Sequence, residues 1–410
     1  MKTHTYIIIA IIYRFLLDLI YKLEVSPIFS YARLVNESTQ VSTYTSWLLF
    51  VFFTILIIPF LSDKNDYFID CVVIFFYLIR IVPFTSFIKF SPQTFEYLCL
   101  NIIYWSLLLL LLRIPGHSRF NFLLQYRNDN SVMFFAIVSI VAVLVVSGVY
   151  THFRFHFSLS NVYDLRAEAR TYQMPRIFAY LYSATGNLIP IILVFYILKK
   201  KKVMIFLLAL TGILNFGIAG QKATIFKIVF CVIFIFVKEI DYKKYLLPII
   251  SIFCVLVLGQ YFIWGNVELS TLFIRRMLYV PNMNDTLYYD YIMTHSPLFF
   301  NSQKSGELAF NLSEIYMRRS EARANNGMFS DAYANLGAWG IVVFPVLLST
   351  LLKFFSNSVK GLHPSLVVYT AMIVATALHS SFITRSLLTH GLFILWLALM
   401  ILPRDSETKI

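Results

Sequence analysis

Stretches of apolar sequence close to the length of a membrane-crossing helix recur from one end of the chain to the other, and that recurrence limits the fold more than any motif does. About 20 apolar residues cross the hydrocarbon core of a bilayer as a helix, with a tolerance of about 17–25. Twelve stretches come close: Tyr6–Tyr21, Ser46–Leu61, Tyr67–Phe87, Tyr97–Leu112, Val132–Tyr150, Ile177–Leu198, Val203–Ala219, Ala223–Val237, Tyr245–Phe262, Ala332–Leu352, Leu366–Leu378 and Leu387–Leu402. Several are short, so flanking aromatic residues must complete them. The pair around Gly220 is separated by barely a turn and could instead form one broken or re-entrant element.

Composition agrees. Hydrophobic residues make up 59% of the chain and charged residues 13%, against about 45–50% and 25% in soluble domains. The mean hydropathy of +0.73 is too high for a single anchor on a soluble body. The expected fold is therefore an all-α polytopic membrane protein, one integral membrane domain over 1–410 with about twelve transmembrane helices. No basic region followed by a short apolar core and a small-residue cleavage site opens the sequence, so the first apolar segment is expected to stay. Cys71, Cys99, Cys231 and Cys254 sit in or beside apolar runs and match no zinc or redox spacing, which makes them small buried hydrophobes.

Twelve spans put both termini on one face. The Lys199–Lys202 run, the Lys238, Lys243 and Lys244 cluster, the loop with Arg113, Arg119 and Arg127, and Lys353 and Lys360 fall on that face. Basic short loops mark the cytoplasmic side, so both termini of this multi-pass protein are expected there. The outer segments of any length are 22–45, 151–176 and 263–331. On this topology the cytoplasmic side holds twelve lysines and four arginines, and the outer side with its helix ends holds five lysines and twelve arginines. Lysine inside follows from topology; arginine outside calls for another cause.

The guanidinium group is planar, permanently charged and suited to gripping phosphate with paired hydrogen bonds. Arg154, Arg166, Arg170 and Arg176 crowd the 151–176 loop, and Arg275, Arg276, Arg318, Arg319 and Arg323 the 263–331 segment, with Arg385 in a short turn. Singly, each suits head-group snorkelling or an ion pair with Asp164, Glu168, Glu314 or Glu321. Together they describe an outward-facing site for a polyanion, most simply a lipid diphosphate. The net charge of +13 then points to anionic head groups or phosphorylated substrates rather than nucleic acid.

The segment from Asn326 to Gly340 leads into a span. Ser330 or Asp331 is placed to cap that helix; alternatively Asp331 is a general base, with Tyr333 and Asn335 a turn inward. Ser270–Pro281 reads as a short amphipathic helix capped by Ser270 and ended by Pro281, and Leu308–Tyr316 as a second. Arg14 and Asp18 are four residues apart on one helix face and neutralise each other. The remaining spans lack central acidic residues, which argues against ion-coupled transport. His379 and His390 flank Arg385, where a histidine could serve as a base or hold a satisfied interfacial role. No His, Cys and Asp set has metal-ligand spacing, and no glycine loop cradles phosphate, so neither metal nor cofactor is expected.

With about a dozen spans and two arginine-rich outer segments, the chain resembles the Wzy-type O-antigen polymerases, the bacterial oligosaccharide repeat-unit polymerases. The resemblance is most specific at Tyr163-Asp-Leu-Arg166 with Arg170, at Asn215-Phe-Gly-Ile-Ala-Gly-Gln-Lys222 and at Gly327-Met-Phe-Ser-Asp-Ala-Tyr-Ala-Asn-Leu-Gly337. The family's Arg-x10-Gly spacing is absent; Arg176 to Gly186 is one residue short. The resemblance implies a glycosyltransferase of lipopolysaccharide biosynthesis that uses no nucleotide sugar. It would move a growing glycan from undecaprenyl diphosphate onto the next lipid-linked repeat unit at the periplasmic face, alongside membrane lipids, a chain-length regulator and a flippase. Asp331, or else Glu314 or Asp164, would serve as base. Arg275 and Arg276 would steady the leaving diphosphate, and Arg166, Arg170, Arg176, Arg318, Arg319, Tyr333, Asn335 and Arg385 would bind substrate. An O-antigen ligase and a lipid-linked oligosaccharide flippase are the rival readings.

Overall fold

The computed structural model describes residues 3–62, 66–115, 127–157, 168–169, 171–220, 226–231, 242–318, 324–325 and 327–404, with the backbone alone at 219 and 302–305. Every regular element among them is helical. In chain order these are α1 (Thr3–Ile20), α2 (Gln40–Ile57), α3 (Tyr67–Phe76), α4 (Val82–Phe90), α5 (Phe95–Arg113), α6 (Asp129–Val149), α7 (Arg176–Leu198), α8 (Lys202–Ala219), α9 (Tyr242–Trp264), α10 (Val280–Thr294), α11 (Ser302–Met317), α12 (Met328–Leu336), α13 (Gly340–Val359), α14 (Pro364–His379), α15 (Ile383–Leu387) and α16 (Leu392–Ile401). Seven helical stretches are long and apolar enough to cross a membrane: Gln40–Leu61, Tyr67–Phe90, Phe95–Arg113, Asp129–Val149, Arg176–Leu198, Tyr242–Trp264 and Met328–Val359. Lys202–Ile218, Pro364–His379 and Leu392–Ile401 are apolar but shorter. Most of Ala223–Val237 lies outside the described residues.

The outer surfaces of these helices are apolar. Ile8, Ile11, Ile12 and Phe15 are exposed along α1, Leu48, Val51, Phe52 and Ile55 along α2, and Ile249, Ile252, Val255 and Leu256 along α9. Their spacing of three and four residues makes one stripe per helix. Water would not tolerate so much contiguous apolar surface; lipid would.

The chain divides into two compact units. Unit 1 comprises Met1–Gly116, Asp241–Lys353 and Leu378–Phe382; unit 2 comprises His117–Ile240, Phe354–Ala377 and Ile383–Ile410. At the heart of unit 1 stands the stretch Tyr67–Phe90, the whole of whose membrane-length window is buried. It is apolar on every side, as an enclosed helix must be. Its charged residues are each paired across the core: Asp70 with Lys243 at 3.0 Å, Arg80 with Asp285, and Lys89 with Asp18 at 2.8 Å. Asp18 also pairs with Arg14, as the four-residue spacing predicts. Lys243, read from sequence as a cytoplasmic surface charge, is thus an internal ion-pair partner, buried with Asp70.

Three π-helical stretches interrupt unit 1: Tyr21–Val25, Tyr77–Ile81 and Ser270–Tyr279. Each shifts a backbone bond from the fourth to the fifth residue back and so leaves a carbonyl open. At Tyr77–Ile81 the Val82 N–H bonds to Tyr77 O, and the Leu78 carbonyl instead accepts from the Tyr13 hydroxyl at 2.8 Å. The π stretch at Ser270–Tyr279 runs directly into α10, with Pro281 inside the first turn of that helix. This corrects the expectation that Pro281 ends a short helix capped by Ser270. Proline lacks an N–H, which a helix start does not need, and the cap position is Leu269 without a side-chain bond.

In unit 2, α7 is the most enclosed helix and packs against α6, α8 and α16. Pro190 lies within it.

Candidate functional site

The π stretch Tyr77–Ile81 carries Arg80 into the interior of unit 1, where it is 1% exposed and pairs with Asp285 of α10, itself 2% exposed. A lone charge at that depth would cost several kcal/mol, so each of the two needs the other. Tyr97 and Tyr104 of α5 lie within electrostatic range of the guanidinium. Directly above it runs the backbone of Gly327: a β-carbon there would stand 2.6 Å from His379 O and 3.5 Å from both terminal nitrogens of Arg80. Only glycine allows the chain to pass so close. His379 is buried, and its Nε2 donates to Met277 O at 2.7 Å, which fixes the proton on that nitrogen. Among the described residues Arg80 Nη1, Asp285 Oδ1 and His379 Nδ1 have no hydrogen-bond partner.

The same neighbourhood fixes the approach to α12. Ala324 N donates to Ala309 O at 2.8 Å, Tyr288 Oη to Ala324 O at 2.9 Å, and Asn284 Nδ2 to Asn325 O. Gly327 then takes the cap position of α12, and its N–H donates to Ser330 Oγ at 2.9 Å. Ser330 therefore stands at the third helical position and reaches back to the cap residue, the returning half of a capping box; neither Ser330 nor Asp331 is itself the cap residue. Asp331, buried in the first turn, lies at the positive end of the helix dipole. Its Oδ1 accepts from Asn335 Nδ2 at 2.6 Å, and Tyr104 lies within electrostatic range. The Asn335 Oδ1 in turn accepts from Phe300 N at 2.9 Å. Tyr333 sits in an aromatic cluster with Tyr97, Tyr104, Tyr289 and Phe329, and its hydroxyl reaches Met293 Sδ at 3.1 Å.

Arg275, Arg276 and Arg318 lie on or just past the helices of unit 1 between Ser270 and Met317. Arg275 is half-buried with its guanidinium 4.2 Å from the centre of the Phe29 ring, a cation–π distance. Arg276 is exposed beside it, and Arg318 is exposed just past α11, in the left-handed region. Arg33, on the way to α2, lies 4.6 Å from the Tyr316 ring. At the start of the π stretch, Ser270 faces the buried Glu24, whose carboxyl burial pushes up to about 7 against the opposing effect of Ser270. Asp290 on α10 is also shifted up by burial, with Arg33 pulling the other way.

Unit 1 thus holds Asp331, Tyr333, Asn335, Arg275, Arg276 and Arg318. Unit 2 holds Arg176, exposed at the start of α7, and Arg385, half-buried in α15. Arg166, Arg170 and Arg319 lie outside the described residues, as do Asp164 and Arg323. The sequence alone singles out neither Arg80 nor Asp285, and marks His379 only as a histidine flanking Arg385. One signal was present: 282–286 combines Asn, Asp and Thr in a stretch that is nonetheless buried throughout. No group of three or more His, Cys, Asp or Glu residues among the described residues could hold a metal ion. The arrangement offers a carboxylate at a helix start, a buried ion pair beneath the chain that leads to it, and guanidinium groups on the neighbouring helices. Comparison with family models, with curated proteins and with solved structures gives no match.

Proposed function

We propose that this protein is an O-antigen polymerase of the bacterial inner membrane. It transfers a growing glycan from undecaprenyl diphosphate to the next lipid-linked repeat unit at the periplasmic face, with about twelve spans and both termini in the cytoplasm. The observation that carries this reading is the joining, within unit 1, of a buried first-turn Asp331 to helices bearing Arg275, Arg276 and Arg318. The reaction breaks the bond between the glycan's anomeric carbon and the diphosphate oxygen, and forms one to an acceptor hydroxyl. The hydroxyl proton passes to a base, for which Asp331 is the candidate. The departing lipid diphosphate gathers negative charge, which guanidinium groups stabilise. The buried Arg80–Asp285 pair keeps the approach to Asp331 in place.

Removing the gene tests the pathway. The reading predicts cells whose surface lipopolysaccharide carries one repeat unit and no ladder. Cores with no glycan at all would instead indicate the ligase that joins glycan to core.

A further inference from the structure

The proline in α7 opens a second question. Pro190 has no N–H, so the carbonyl four residues back, that of Gly186, loses its helical partner. Lys227, in the helical stretch 226–231 of the same unit, supplies the substitute: its Nζ donates to Gly186 O at 3.4 Å and to Asn187 Oδ1. A hydroxyl or amide would satisfy both acceptors. The positive charge is surplus to that task, and a charge inside a membrane unit is costly unless something answers it.

Among the described residues, neither acceptor of Lys227 is anionic. The described carboxylates of unit 2 are engaged elsewhere, Asp129 with Lys199 at 3.8 Å and Glu168 with the Tyr172 hydroxyl at 3.4 Å. More positive charge lies nearby. Asn187 Nδ2 donates at 2.6 Å to the carbonyl of His390, whose N–H donates at 2.8 Å to Arg385 O. Asn187 therefore links the ammonium of Lys227 to the turn that carries Arg385. That turn is tightly placed: Gly391 has φ +69°, and a β-carbon on it would collide with the backbone of Ala184. The His390 ring lies within electrostatic range of both Lys227 and Arg385.

We propose that Lys227, Arg385 and His390 form an anion site in unit 2 that takes the phosphate group of a lipid. Two cations converge there with an imidazole and a bridging amide, and Lys227 keeps one N–H beyond its two acceptors among the described residues. A phosphate on an apolar tail brings the charge that Lys227 lacks while leaving the tail among lipid-facing helices. The lipid's identity as a second isoprenoid diphosphate rests on the polymerase reading, since chain extension brings two such substrates together. The anion site itself does not rest on it.

The test uses the full chain in nanodiscs of phosphatidylcholine and measures equilibrium binding of farnesyl diphosphate. The Arg275→Ala/Arg276→Ala background keeps those arginines from contributing. Lys227→Gln and Arg385→Gln should each weaken binding at least about tenfold, the value of one charged phosphate contact, and Lys227→Arg should retain most of it. Binding of farnesol, which lacks the charge, should not respond to either glutamine variant. Unchanged farnesyl diphosphate binding in Lys227→Gln overturns the proposal. If that variant does not fold, unchanged binding in Arg385→Gln overturns it. Inorganic diphosphate binding as tightly as farnesyl diphosphate overturns the assignment to a lipid. The assay contains no glycan, so it is decided independently of chain extension.

Discussion

Asp331 and Asn335 illustrate how one turn of helix can divide labour. Asn335 bonds to the Asp331 carboxylate with its amide N–H and to the Phe300 N–H with its oxygen, so it orients the acid. Asp331→Asn should therefore lower chain extension by about 100-fold or more while the protein inserts at normal levels, the loss expected of a missing base. Extension at wild-type rates would leave Asp331 with a structural role alone. The Arg80–Asp285 pair calls for a different measurement. Arg80→Ala strands a buried carboxylate and should cost about 3–5 kcal/mol. The double variant Arg80→Leu/Asp285→Leu should unfold less readily in detergent than Arg80→Ala. Glu24 carries a signed pH dependence. Burial raises its folded pKa from the ordinary carboxylate range to about 7, so its contribution is whole in acid and is lost as pH rises through 7. Glu24→Gln should accordingly raise the melting temperature at pH 8 and leave it nearly unchanged at pH 4. An equal effect at both would show that the carboxyl does not titrate in this range.

At the scale of elements, hydropathy reveals where helices lie but not how they continue. The apolar stretches fall largely on helices where the chain is described, though residues 388–391 form a turn, and the four-residue spacing of Arg14 and Asp18 predicts their pairing. The π-helical stretches were invisible, because one inserted residue changes no composition; their trace is the tyrosine each carries, with Tyr21 and Tyr279 meeting edge to face at 4.7 Å. Pro281 was misread for a related reason: proline stops a helix from within but is welcome in its first turn. Arg80 escaped notice because its partner Asp285 is 205 residues away in sequence, and a charge without a visible partner reads as a surface charge. Gly327 marks the point where element and site meet. Gly327→Ala would press a methyl group against His379 O and the Arg80 guanidinium, so it should lower both stability and chain extension. A variant with wild-type melting and activity would show that this close approach is dispensable.

Among the described residues of unit 1, apolar helix faces lie outward while the charges of the central Tyr67–Phe90 stretch are paired in its interior. In unit 1 the central Tyr67–Phe90 stretch binds its neighbours through Asp70, Arg80 and Lys89, so that polar bonds fix the helices where lipid provides little hydrophobic force between them. Membrane embedding was legible in the sequence because it depends on composition along the chain. The candidate site was legible only where charge clusters locally, at Arg275, Arg276 and Asp331; its buried part depends on folding. The central claim is that this molecule joins lipid-linked repeat units. Its most direct test is to supply the purified protein in liposomes with undecaprenyl-diphosphate-linked repeat units and to resolve the products by length. The account predicts a ladder of lengthening glycans, lost in Asp331→Asn and in Arg275→Ala/Arg276→Ala. Transfer of the lipid-linked unit across the bilayer with no lengthening would contradict it.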